Sequence, residues 1–344
     1  MSNFKKTFFL FISSVLFSLM IAELAIRFFV PQETKRLAIY DKELGWRGEP
    51  GGSGTYIRKE DGIEVPFRYN ELGFRDNEVK PRNSVSKRII FLGDSFIENL
   101  EVPFEQSFVA IVRERLTQAS HSSLDIVALS SQGYSTAQEL LALKKYHDQL
   151  RPDIVVLFFY TGNDFEDNLR REFAYLDSTG GLVFPKNTTS WYKQEVLSFK
   201  RWLYESSYLV FYLKNVIESA SAMNLGDETK QVAGASQEYE YEITRKLILE
   251  TKKYVEEQGE QFGLVLFTNK HQLREQKLEK TEFVEGVCRG DSIPFVEATR
   301  GLDQKDFFPV DDHFNAAGHA RVAEIVYDYL VTTFRVGADT VNAK

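Results

Sequence analysis

Cysteine is nearly absent: Cys288 stands alone among 344 residues, which excludes a disulfide within the chain and leaves the redox compartment open. A basic stripe is missing too. Lysine and arginine number 42 against 50 aspartates and glutamates, interspersed throughout, and the net charge of −8 argues against nucleic acid as a partner. Histidine is scarce, with His121, His147, His271, His313 and His319 the only five, so imidazole chemistry has few candidates. The length suffices for one large or two small domains with a substantial core.

Long apolar runs are absent except at the N-terminus. Lys5 and Lys6 precede an apolar stretch over 8–22 that resumes as Leu24-Ala25-Ile26 and ends at Pro31. A helix over 8–30 would measure about 35 Å, enough to cross a bilayer. Glu23 and Arg27 are spaced to pair on one helix face, which lowers the penalty of charges near the interface. Cleavage after Ala22 puts Met20 at the third position before the cut, and cleavage after Ala25 puts Glu23 there. Neither residue is small, so the segment reads as an uncleaved anchor. A buried core helix is the other reading, but nothing else in the chain is so continuously apolar. Lys5 and Lys6 favour a cytoplasmic tail with the body outside the cytoplasm, against the opposing charges of Arg27, Lys35 and Arg36. The expectation is a single-pass membrane protein whose partner is the lipid bilayer.

Four regions follow. Residues 1–30 are tail and transmembrane anchor. Residues 31–87 form a connecting segment rich in glycine, proline and charge, with a turn over 48–54 and short strands near 55–57 and 64–69. Residues 88–335 alternate strand and helix patterns, and 336–344 form a flexible tail. Strand candidates are 88–94, 124–130, 153–160, 262–268 and 293–297; helical patterns lie near 105–117, 137–150, 238–258, 271–288 and 316–334. Such alternation predicts an α/β domain with a central parallel five-stranded sheet covered on both faces. Thr136-Ala137-Gln138-Glu139 fits a capping box at the start of the second of these helices. An insertion over about 165–236 is far longer than an ordinary crossover. It carries Trp191, Tyr192, Trp202, Tyr204, Tyr208, Phe211 and Tyr212, which either form a lid beside a cleft or pack among themselves as a helical subdomain.

Three polar blocks sit at the tips of apolar segments: Gly93-Asp94-Ser95, Gly162-Asn163-Asp164 and Asp311-Asp312-His313. Strand ends are where open α/β sheets bind ligands. A serine, an amide and a carboxylate–histidine pair delivered there are the components of a serine esterase. Gly93 permits a tight turn that exposes Ser95. Asn163 can donate a hydrogen bond to a developing oxyanion, or it can be a turn residue beside Gly162. Gly133 lets a backbone N–H approach a ligand before a helix, or it is a turn glycine. His313 follows two carboxylates and precedes Asn315, which can cap the last helix; His319 reads as structural in that helix's first turn.

With these blocks the chain resembles the SGNH (GDSL-type) hydrolase superfamily over about 88–334, and the order of anchor, Asn70–Asp76 block and Gly-Asp-Ser block is similar to its membrane-anchored bacterial members. The four signature residues match Ser95, Gly133, Asn163 and His313. The resemblance implies a flavodoxin-like three-layer sandwich and a Ser-His-Asp mechanism with no cofactor and no metal. It implies ester substrates, from thioesters and lipids to acetylated sugars. The usual acid position, three before the histidine, holds Val310. Asp311 is therefore assigned, with Asp312 as the alternative. Ala128 stands where an asparagine often opens the second block, and Phe96 replaces a leucine, a change of little expected weight. The leading reading is an esterase removing acetyl groups from an extracytoplasmic polysaccharide. The alternatives are an O-acyltransferase on cell-surface glycan and a non-catalytic anchored module of an assembly complex. A metallophosphoesterase would need Gly-Asn-His where this chain has Gly162-Asn163-Asp164.

Overall fold

The computed structural model describes residues 3–30, 38–58, 60–119, 123–185, 196, 199–200, 202–204, 206–224 and 236–337. Lys35, Arg36, His121, Trp191, Tyr192 and the tail from 338 lie outside these residues. The N-terminal run is one helix, α1 (Asn3–Phe29), whose 25 residues from Lys5 to Phe29 are long and apolar enough to cross a membrane. Two small hairpins follow: β1 (Ala38–Asp41) with β2 (Gly45–Gly48), and β3 (Ser53–Arg58) with β4 (Ile63–Arg68), both antiparallel.

The main sheet contains β5 (Lys87–Gly93), β6 (Leu124–Ser130), β7 (Ile154–Tyr160), β10 (Gln261–Phe267) and β11 (Phe295–Glu297), after a minor hairpin of β8 (Tyr175–Leu176) and β9 (Leu182–Val183). All its pairings are parallel, in the order β11-β10-β7-β5-β6. That is the flavodoxin-like order, with its switch point between β5 and β7. The chain leaves β5 towards β6 and later returns to the opposite side, so the loops after β5 and β7 splay apart into a crevice at the strands' C-terminal ends.

The pleat divides the core. Ile89, Phe91, Ile126, Ala128, Val156 and Phe158 face one layer, covered by α3 (Phe108–Ala119) and α10 (Ala316–Phe334). Ile90, Leu92, Val127, Leu129, Val155 and Leu157 face the other, covered by α4 (Thr136–Leu150), α7 (Gln237–Glu257) and α9 (Glu279–Gly290). Strands buried on both faces explain why they read as unbroken apolar runs. Val336, assigned by sequence to the tail, is packed within the first layer.

Two local expectations shift. The capping box of α4 starts one residue earlier than read: Ser135 is the cap and Gln138 its partner. Glu139 is instead fully buried, and neither of its carboxyl oxygens has a hydrogen-bond partner. The single helix read over 271–288 is two, α8 (Lys270–Glu275) and α9, because Gln276 adopts a left-handed conformation at φ 55° and caps α8. Residues 38–76 are more than a connector. Leu44, Leu72 and Phe74 belong to the second core layer, and buried Arg75 donates to the carbonyls of Glu98, Asn99 and Val102.

Candidate active site

The turn after β5 delivers Ser95. Asp94 caps the one-turn helix α2 (Ser95–Glu98) by accepting the Phe96 N–H at 2.9 Å. Gly93 is required there because a Cβ would lie 2.3 Å from Ile97 Cγ1. His313 arrives from the segment before α10, whose start is fixed by Asn315 accepting the N–H groups of Ala317 and Gly318. The two residues, 218 positions apart in sequence, meet with Nε2 of His313 2.9 Å from Oγ of Ser95. Phe96 lies against the imidazole, ring centroids 4.8 Å apart and planes 28° from parallel. The substitution judged minor in the sequence thus forms one wall of the histidine's slot.

Asp311 and Asp312 separate cleanly. Asp311 Oδ1 accepts the His313 backbone N–H at 2.9 Å, and its Oδ2 lies 3.3 Å from His313 Nδ1. Asp312 turns away: its Oδ2 accepts from Tyr160 Oη at 2.9 Å and from the Asn269 amide. A second carboxylate, buried Glu101, stands 3.9 Å from His313 Nδ1. Arg58 of β3 pairs with Asp311 and, at 2.7 Å, with Asp61. Nδ1 itself makes no well-formed hydrogen bond, so the ring nitrogen sits between two carboxylates with one of them shared by an arginine. Glu101, Asp311 and His313 also bring three potential metal-ligand atoms within 4.8 Å of one another. The Arg58 guanidinium already supplies the positive charge at that spot, and a dication beside it would be repelled.

Asn163 follows β7 and precedes the one-turn helix α5 (Asp164–Asp167). Its amide nitrogen donates to Asp94 Oδ2 at 3.1 Å and to Asp167 Oδ2 at 2.8 Å. Reversing the amide would put three acceptors together, so the two carboxylates fix which way it faces. Gly133, at φ 71°, occupies a left-handed position that side-chain-bearing residues rarely adopt. Its loop is braced from three sides. Glu98 accepts the Gln132 N–H at 2.8 Å, Trp46 donates its indole N–H to the Gln132 carbonyl at 3.1 Å, and Arg170 donates to the Gly133 carbonyl. Arg170 also pairs with Asp167 at 2.6 Å, so one guanidinium links the Gly133 loop to the carboxylate holding Asn163. Among the described residues, neither the Ser95 nor the Gly133 backbone N–H donates within the protein.

Beneath the site lies an acid cluster. Burial raises the pKa of Asp94, and it pushes Glu139 and Asp164 well above the usual carboxylate range, with the charge of Asp94 adding to the effect on both. Asp167 is pushed up to about 6, by burial opposed by Arg170 and Asn163. Glu139 and Asp164 thus favour the neutral acid, while Asp167 keeps its ion pair with Arg170. His319 is structural: it is buried, and its Nδ1 accepts the Phe108 N–H at 3.3 Å. Beside Asp311 and Asp312 opens a cavity of about 360 Å³ lined by Lys270, His271, Arg274 and Phe308.

Sequence reading brought forward Ser95, Asp311, His313, Gly133 and Asn163; it missed Trp46, Arg58, Glu98, Glu101, Asp167 and Arg170. Asp167 and Arg170 had a weak signal, four and seven residues beyond Asn163, the first on the one-turn helix α5 and the second just after it. The others come from distant segments whose approach no local pattern encodes.

No family profile matches the sequence, and no curated protein sequence matches it. Several solved structures are similar in fold. The psychrotrophic esterase EstA from Pseudoalteromonas sp. is 11% identical, with 73% of this chain and 100% of that one covered at a TM-score of 0.44. A Clostridium thermocellum family 3 carbohydrate esterase is 16% identical, covering 72% and 97%, TM-score 0.39. A lipase/acylhydrolase from Enterococcus faecalis is 12% identical, covering 71% and 95%, TM-score 0.39.

Proposed function

We propose that the protein is a membrane-anchored serine ester hydrolase of the SGNH type. The observation that carries this reading is the 2.9 Å contact between Ser95 Oγ and His313 Nε2 at the switch point of a parallel sheet. A serine hydroxyl is a weak nucleophile until a base within hydrogen-bond reach accepts its proton. His313 takes that proton as Oγ attacks the ester carbonyl, and Asp311 stabilises the imidazolium through Nδ1. The backbone N–H groups of Ser95 and Gly133, with the Asn163 amide, receive the oxyanion. One such donor is worth about 10²–10³ in rate. Asn163 must release one of its two carboxylate contacts to serve, and the longer one, to Asp94, is the natural candidate.

His313 then protonates the departing alcohol, and water attacks the acyl-serine with His313 again as base. The proposed substrates are esters, O-acetyl groups on an extracytoplasmic polysaccharide foremost, with the body outside the cytoplasm and α1 in the bilayer. The test uses the full chain in detergent micelles with p-nitrophenyl acetate and a panel of acetylated sugars. Turnover is expected to survive EDTA and to disappear in Ser95→Ala, and a fluorophosphonate probe should label Ser95. Undiminished turnover in Ser95→Ala would remove the nucleophile assignment, and no labelling would favour a non-catalytic module. Acetyl transfer to an added sugar exceeding release to water would mark an acyltransferase.

A further inference from the structure

Helix α1 carries one carboxylate deep in its apolar length. Glu23 lies six residues before Phe29, about 9 Å along the axis. A helix from Lys5 to Phe29 measures about 37 Å against a hydrocarbon core of about 30 Å, so a centred span puts Glu23 about 5 Å inside the acyl boundary. Arg27 pairs with it at 3.7 Å, as the spacing foretold, but the stronger contacts come from elsewhere. Glu23 Oε1 accepts the Tyr208 N–H at 2.9 Å; Oε2 accepts the Leu209 N–H at 2.9 Å and the Ser207 hydroxyl at 2.8 Å. Arg27 also lies over the Tyr208 ring, 4.7 Å from its centroid. The anchor therefore caps α6 (Tyr208–Asn224), a helix of the insertion, and sets that helix's first turn at the depth of Glu23.

Among its described residues the insertion exposes several large apolar side chains. Phe199, Trp202 and Ile217 are 59, 57 and 63% exposed, and Val196, Leu213 and Val216 are exposed with them. The rings of Phe199 and Trp202 stack on each other at 5.8 Å and each stays more than half exposed. Leu213, Val216 and Ile217 share one face of α6 by their spacing. Patches of this kind are uncommon on a surface that meets water. Trp202, Tyr204, Tyr208 and Tyr212, interspersed with Lys200 and Lys214, have the amphipathic composition of side chains at the membrane–water boundary.

We propose that the insertion is a second membrane contact, in which Val196, Phe199, Trp202, Leu213, Val216 and Ile217 pack among the lipid acyl chains beside α1. The occupant of the patch is the bilayer, because the Glu23 contacts hold it at hydrocarbon depth. This rests on α1 being a membrane span. Glu23 and Arg27 then do more than neutralise each other: they fasten the first turn of α6 to the anchor at a set depth.

The full chain, reconstituted in phosphatidylcholine–phosphatidylglycerol vesicles, tests this. Single cysteines at Phe199→Cys and Ile217→Cys are labelled with a bimane; the native Cys288 is buried and its thiol is pushed up to about 12 by burial, so it stays unlabelled. The expected result is several-fold stronger quenching by brominated lipid than by aqueous iodide at both positions. Glu23→Leu should lower the lipid quenching several-fold while leaving hydrolysis of a soluble ester unchanged. Vesicle flotation is measured on the same samples. Floating chains whose labels are quenched by iodide alone overturn the proposal and leave the anchor intact; self-quenching without lipid quenching assigns the patch to a second copy and overturns it equally. Chains that fail to float overturn both.

Discussion

Phe96 and His313 lie face to face, and Phe96 in turn contacts Tyr160 with ring centroids 4.1 Å apart. The imidazole is thereby held from its flat side while Ser95 and the carboxylates address its edge. Phe96→Leu preserves the apolar character and removes the stacking surface. It should lower kcat by on the order of tenfold with little change in KM, since small displacements of a base are costly to the reaction. Steady-state kinetics on a soluble ester checks this, with thermal unfolding run alongside to show that the fold persists. A leucine variant with unaltered kcat would reduce Phe96 to filler.

Three carboxylates near His313 should separate in kinetics. Asp311→Asn is expected to lower kcat by about 10³–10⁴, the scale for removing the orienting acid of a serine triad. Glu101→Gln should lose on the order of tenfold, because Glu101 is the more distant partner of Nδ1 at 3.9 Å. Asp312→Asn should leave kcat within a factor of about three, as its carboxylate serves Tyr160 and Asn269 instead. If Glu101→Gln proves the most damaging of the three, Glu101 is the orienting acid and Asp311 is the partner of Arg58.

Arg170 joins the Gly133 carbonyl to Asp167, and so couples the two sides of the proposed oxyanion site. Arg170→Gln should reduce kcat by about tenfold, and Asn163→Ala by about 10²–10³. The double variant should lose less than the product of the two, because both act on one hydrogen-bonded unit. Full additivity in this double-mutant cycle would show that Arg170 works independently of the Asn163 side.

Two buried groups give opposite pH dependences of stability. The pKa of His319 is depressed to about 3 by burial, so its contribution is present above about pH 6.5 and is lost as pH falls from there towards 3, up to about 5 kcal/mol. Asp167 is raised to about 6, so its contribution is present below about pH 4 and is lost as pH rises through 6, about 3 kcal/mol. Urea unfolding from pH 3 to 8 should show the acid-side loss diminished in His319→Asn, whose oxygen can still accept from Phe108. The loss between pH 4 and 7 should be diminished in Asp167→Asn. Parallel curves for wild type and either variant would contradict the corresponding assignment.

Much of the architecture was legible because both faces of the sheet are covered. Strands such as Ile154–Tyr160 read as unbroken apolar runs, and the helices between them as one-sided stripes. The residues at the strand tips were legible for a related reason: Ser95 and Asn163 stand where an apolar run stops abruptly. Their supports were not. Arg58 reaches Asp311 across 253 positions and Trp46 reaches Gln132 across 86, encounters set by tertiary packing alone. The shifted cap of α4 shows the limit at short range. Ser135 and Thr136 are equally suited to capping, and the burial of Glu139 decides between them. The aromatic insertion was read as lid or subdomain because composition does not reveal that Glu23 would seize its helix.

The hairpins between anchor and sheet supply Trp46 and Arg58 to the crevice, which gives the stalk a share in the chemistry. Because Leu44, Leu72, Phe74 and Arg75 are buried in the body, a nick near residue 80 would leave these hairpins docked, and only their loss would remove the guanidinium beside Asp311 and the indole behind Gly133. On the proposed function, a truncation that began after the hairpins would cripple the site rather than free a working enzyme.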